Sequence, residues 1–87
     1  MKKTRASASK NIVGERVRLA RLAMKPPVSQ QDLSARLAVK GVQVSQTGIS
    51  KLEKRRRYIM DYEIAAIAKA LRVSVSWLFA ESKTPRI

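Results

Sequence analysis

Val44-Ser45-Gln46-Thr47-Gly48-Ile49-Ser50-Lys51-Leu52-Glu53, followed at once by Lys54-Arg55-Arg56-Arg57, carries the strongest structural signal in the chain. Serine at 45 is a residue type whose hydroxyl accepts the orphan amides of a helix start. Ile49 and Leu52, three residues apart, supply a short apolar face. Together they predict a helix over 45–54 with divided duties. Val44, Ile49 and Leu52 face the core, while Gln46, Thr47, Gly48, Ser50 and Lys51 face out. A DNA major groove admits one α-helix, and short polar side chains near its N-terminal end reach base edges. Glutamine can pair with adenine, threonine offers a hydroxyl and a methyl, and lysine can donate to guanine. A merely solvated polar face is the alternative. The cations Lys54, Arg55, Arg56 and Arg57 favour the groove, because a loop or frayed end there would meet the flanking phosphates.

Working outward, Ser29 opens a preceding helix, with Asp32 placed as the reciprocal partner of a capping box. Leu33 and Leu37 point inward, and Lys40-Gly41 is the expected stop. Residues 29–53 are thus two helices joined by a glycine-containing connection. Before them, Val13, Val17, Ala20 and Met24 lie on one face of a helix over 11–24 that Pro26-Pro27 terminates. After them, Asp61 is expected to cap a fourth helix carrying Ile64, Ile67, Ala68 and Leu71 inward. Ser74 or Ser76 starts a fifth, with Val75, Leu78 and Phe79 apolar and Trp77 of open facing. Leu19 and Leu22 lie off the main stripe. With Trp77 and Phe79 they form either a dimer contact or additional core. Strand patterns and repeats are absent, so the fold class is all-α with five short helices. Residues 1–10 read as a flexible basic arm, 11–81 as the domain and 82–87 as a loose tail.

Eighty-seven residues make one domain with a thin core. The chain has neither Cys nor His. Disulfides, Cys or His metal ligation and every mechanism needing a His base or Cys nucleophile are excluded. Six carboxylates lie scattered along the chain, so no catalytic site, cofactor, metal or small-molecule ligand is expected. Net charge is +13, which attracts nucleic acid, anionic membrane or an acidic partner. Its distribution is uneven. Residues 1–60 hold 15 basic and 3 acidic groups, against 4 and 3 in residues 61–87. No run approaches the roughly 18 apolar residues of a membrane span, and the N-terminus lacks the apolar segment of a signal peptide. A cytoplasmic, nucleoid-associated location is expected. The helices lack a basic face opposite a broad apolar one, against membrane action. Aromatic residues are scarce, against stacking on single-stranded RNA.

Three segments resemble the Cro/lambda-repressor-like (XRE-type) helix-turn-helix family: Ser29-Gln30-Gln31-Asp32-Leu33-Ser34, Val44 to Glu53, and Ile64 to Ser74. The likeness runs from about residue 12 to 80. It implies that Gln30 touches phosphate and can brace the reading helix. It also implies that Gln46, Thr47, Ser50 and Lys51 touch base edges, and that Arg21 pairs with Glu53 to fix the angle between the first and third helices. The function implied is a sequence-specific regulator of transcription, a repressor binding a palindromic operator of double-stranded DNA as a homodimer. An antitoxin or a restriction–modification controller would share the fold, and a basic RNA-binding or ribosome-associated protein is the reading of another class. The chain departs from the family pattern in three places. It is about five residues longer near Ala38 to Gln43, through either a longer helix or a true loop. Pro26-Pro27 lengthens the connection before Ser29. Gly48 stands where the family has a side chain, either for close approach to DNA or by tolerated drift. The arm carrying Lys2, Lys3, Arg5 and Lys10 either follows the DNA or only solubilises the chain.

Overall fold

The computed structural model describes residues 9–84. Most of the basic arm, including Lys2, Lys3 and Arg5, and the last three residues of the tail lie outside this range. Five helices follow in order: α1 Gly14–Ala23, α2 Gln30–Val39, α3 Gln46–Glu53, α4 Asp61–Leu71 and α5 Val75–Leu78. No strand occurs among the described residues.

The first helix begins three residues later than its periodicity predicts, because Asn11 caps it from outside. The Asn11 Oδ1 accepts hydrogen bonds from the Val13 and Gly14 amides at 3.1 and 2.8 Å. Val17 and Ala20 are buried on its inner face, with Val13 just before it. Its end is set by Met24, which is already extended before the two prolines. The Val28 amide then donates back to the Arg21 carbonyl at 3.0 Å, which folds the proline segment under the helix.

At α2 the capping box is present. The Asp32 amide donates to Ser29 Oγ at 2.9 Å, and the Ser29 amide donates to Asp32 Oδ2 at 3.4 Å. Leu33 and Leu37 are fully buried. Gly41, at φ +80, closes the helix. Its amide donates to Ala38 O and that of Val42 to Leu37 O, both at 2.9 Å. This is a Schellman stop, which needs the left-handed conformation glycine adopts freely. The added length after Leu37 is therefore a loop rather than another turn of helix. Its six residues, 40–45, are not loose. Val42 and Val44 pack on the core, and Ser34 Oγ donates to Val44 O at 2.6 Å.

Ser45 caps α3 as expected, accepting the Gly48 amide at 3.0 Å. For α4 the structure corrects the cap. Asp61 is the first helical residue, and Met60 holds the cap position with its amide donating to Glu63 Oε1 at 2.9 Å. The carboxylate three residues into the helix satisfies an amide that Met60, lacking a polar side chain, leaves in need. Ala66, Ile67, Ala68, Ala70 and Leu71 are buried, and Arg36 reaches across from α2 to donate to Ala70 O at 3.1 Å. Ser74, rather than Ser76, starts α5 by accepting the Trp77 amide at 3.1 Å. Leu78 is fully buried, whereas Trp77 and Phe79 lie partly covered against the core. The core joins Val17, Leu33, Leu37, Ile49, Leu52, Ile67 and Leu71. It packs α3 against α1 and α2, and α2 against α4.

Candidate nucleic-acid interface

On α3, Ile49 and Leu52 are wholly buried. Gln46, Thr47 and Lys51 are exposed and Ser50 is half-exposed. None of these four side chains holds a hydrogen bond within the described residues. Gly48 departs from the outward facing expected of it. A Cβ there would meet Val44 Cγ1 at 3.1 Å and Ser45 Oγ at 3.4 Å. The residue is half-buried beside Val44, whose side chain would have to give slightly to admit a methyl group.

The inner end of α3 is tied to α1 and α2 through one carboxylate. Arg21 donates from Nε to Glu53 Oε2 at 2.8 Å and from Nη2 to Oε1 at 2.9 Å. Its third nitrogen, Nη1, donates to Val28 O at 2.9 Å. Gln30 Nε2 adds a bond to Glu53 Oε1 at 3.0 Å. Arg21 and Glu53 are only 7% and 6% exposed, so this is a buried, fully bonded pair. Such pairs fix geometry, and removing one partner strands a charge. The expected partnership of Arg21 with Glu53 is therefore present, and the amide of Gln30 is engaged as a brace.

Past Glu53 the chain makes an ordered turn. The Arg55 and Arg56 amides donate to Leu52 O and Lys51 O at 3.0 and 2.8 Å, and Arg55 takes φ 62. Lys54 and Arg56 are exposed and Arg55 is half-buried, its Cγ lying close to Gly14. Arg57 turns back instead. Its Nη1 and Nη2 donate to Glu63 Oε1 and Oε2, both at 2.9 Å, and Nη1 also to Tyr58 O. The hydrogen bonds from Arg57 hold the Glu63 carboxyl below the ordinary glutamate range against the opposing effect of burial. The same contact raises the Arg57 guanidinium. Arg57, expected among the phosphate ligands, thus serves as the counter-charge of a buried carboxylate while its side chain stays 29% exposed.

Two residues before α1 complete the arrangement, and the sequence reading missed one of them. Asn11 Nδ2 donates to Leu52 O at 3.1 Å and to Arg57 O at 2.8 Å, while the Lys10 amide donates to Arg55 O at 3.0 Å. Asparagine just ahead of a helix is a recognised capping signal, but the apolar period starting at Val13 hid it. Gly14 permits this closeness, since a Cβ there would collide with the Leu52 carbonyl oxygen. Lys10 Nζ lies 5.0 Å from the Tyr58 ring centroid. Lys10, Thr47, Lys51 and Arg56 line an open cleft of about 450 Å³ beside α3, with cations on its walls.

Among the described residues, no helix is long and apolar enough to cross a membrane. Neither a curated protein nor a solved structure matches the chain. The family model for helix-turn-helix (HTH_3) matches residues 28–78, which begins just before α2, ends with α5 and contains the braced α3. The chain belongs to this helix-turn-helix family of DNA-binding regulators.

Proposed function

We propose that the protein is a sequence-specific binder of double-stranded DNA that represses transcription by occupying an operator. One observation carries this reading: the outward face of α3 presents four unengaged side chains, while its inner face is locked by a buried ion pair. A rigid rod with a free polar edge is what groove reading requires. In this reading Gln46, Thr47, Ser50 and Lys51 meet base edges. Lys54, Arg55 and Arg56, with the start of α2 at Gln30, meet phosphates. Lys10 lines the same cleft and in this reading meets the backbone beside Arg56.

The protein acts as a homodimer on a palindrome, inside the cell where its DNA lies. Ile12, Tyr58, Ile59 and Phe79 line a hollow of about 410 Å³. It shares Lys10 and Tyr58 with the cationic cleft, so a second copy seated there would bring two reading helices to one side. Phe79 fits this contact. Leu19 and Trp77 lie in a different groove.

Selection of bound sequences from a random duplex pool tests the reading. Gln46→Ala and Lys51→Ala relax preference at distinct base positions, each costing about 1–3 kcal/mol at its own position. Arg56→Ala weakens all duplexes alike and lowers the salt slope by about one. Identical sequence-independent losses in all three variants would refute base reading by α3.

A further inference from the structure

The first helix has two working sides. Gly14 and Arg21 turn toward α3. Leu19 and Ala23 are each two residues from Arg21, about 200° around the helix, and so turn away from it. On that far side Leu19, Ala23, Met24, Val73 and Trp77 line an open groove of about 470 Å³. Met24 and Arg72 carry it on into a second, more polar hollow of about 400 Å³ edged by Val39. Leu19 is 55% and Val39 89% exposed, so the groove floor is apolar and apolar side chains stand uncovered beside it.

The rim is cationic. Arg36, Lys40, Lys69 and Arg72 line the second hollow. At the opposite end Arg16 lies 4.7 Å over the Trp77 ring and donates to Trp77 O at 3.0 Å. No Asp or Glu lines either hollow. A second copy of this chain is a poor occupant of this cationic rim, because three of its six carboxylates are already engaged. Glu53 and Glu63 sit in ion pairs and Asp32 in a capping box. Nucleic acid would match the rim and leave the apolar floor unused. An amphipathic helix with carboxylates along both edges matches floor and rim together.

We propose that this groove docks an acidic amphipathic helix from a partner protein, with Trp77 as its aromatic anchor. Because the groove lies across α1 from α3, the partner is carried while the reading helix remains on DNA. The proposal does not depend on operator specificity.

Trp77 is the sole tryptophan, so its emission reports occupancy directly. The probe is a synthetic helical peptide with leucines at i, i+3, i+4 and i+7 and glutamates on both flanks. A control peptide has the same composition in scrambled order. The full chain is expected to show a blue shift of Trp77 emission with the patterned peptide and not with the scrambled one. Leu19→Glu, at an exposed position, and separately Lys69→Glu on the rim should each weaken that binding about tenfold. Salt-dependent affinity for duplex DNA should stay unchanged in Leu19→Glu. Should Leu19→Glu unfold the chain, Lys69→Glu decides. Four results overturn the proposal: equal binding of the scrambled peptide, binding indifferent to both substitutions, a stronger Trp77 response to phosphatidylglycerol vesicles, or a Trp77 blue shift that appears without peptide as protein concentration rises and is abolished by Leu19→Glu.

Discussion

The two ends of α3 are held by unlike means. At the C-terminal end, a carboxylate buried with Arg21 and Gln30, the carbonyl contacts of Asn11 and the close approach of Gly14 converge within one turn. At the N-terminal end the holds are neutral: the Ser45 cap, the Ser34 bond to the Val44 carbonyl, and the burial of Val44 itself. Neutral hydrogen bonds contribute about 0.5–1.5 kcal/mol each, whereas stranding one member of a buried ion pair costs about 3–5 kcal/mol. The helix is therefore aimed from its inner end. Its outer end, where base edges would lie, is trimmed by weak local contacts.

That contrast can be broken most severely at Arg21. Arg21→Ala leaves Glu53 buried without its cation and should cost about 3–5 kcal/mol in chemical denaturation. Loss of less than about 1 kcal/mol would mean the pair does not anchor the helix. Next, Gly14→Ala forces the α1 backbone away from the Leu52 carbonyl and should cost about 1–3 kcal/mol. Asn11→Ala, which leaves the Leu52 and Arg57 carbonyls and the Val13 and Gly14 amides to other partners, should cost about as much. At the lightly held end, Ser45→Ala should cost about 1 kcal/mol, measured the same way.

The neighbouring pair, Arg57 with Glu63, responds to acid. The folded-state value of Glu63 is lowered by Arg57, so its contribution is complete above the ordinary glutamate value. It is lost as pH falls through the depressed folded value. Wild-type stability should decline over that acidic window, and Glu63→Gln, less stable at neutral pH, should show a shallower decline. The smallest effect is expected at Gly48. In Gly48→Ala, a gain of about 1 kcal/mol in helix propensity meets a 3.1 Å contact with the side chain of Val44. The net change should stay within about 1 kcal/mol of zero.

The elements that periodicity and capping specify locally were legible. Ser29 with Asp32, Gly41, Ser45 and the Ile64 to Leu71 stripe place three helices within a residue or so of where they lie. Within the site, the outward facing of Gln46, Thr47 and Lys51 follows from the burial of Ile49 and Leu52 one turn apart. What was not legible depends on contacts that no local pattern encodes. Nothing near Arg57 in the sequence says that Glu63 will be buried and need its charge. Four adjacent cations look equivalent until the turn at Arg55 sends one inward. Likewise Asn11 looks like the start of a helix until the carbonyls of Leu52 and Arg57 are brought beside it. The facing of Gly48 is not legible because a residue without a side chain carries no pattern of its own.

The four unengaged positions on α3 have a practical consequence for redesign. Surface substitutions away from caps and buried partners usually change stability by no more than about 0.5 kcal/mol. Randomising Gln46, Thr47, Ser50 and Lys51 together should yield a library in which nearly every member folds. On the proposed base reading by α3, the scaffold then works as an interchangeable tool head: new target preferences would be screened at those four codons while Arg21, Gln30 and Glu53 are left untouched.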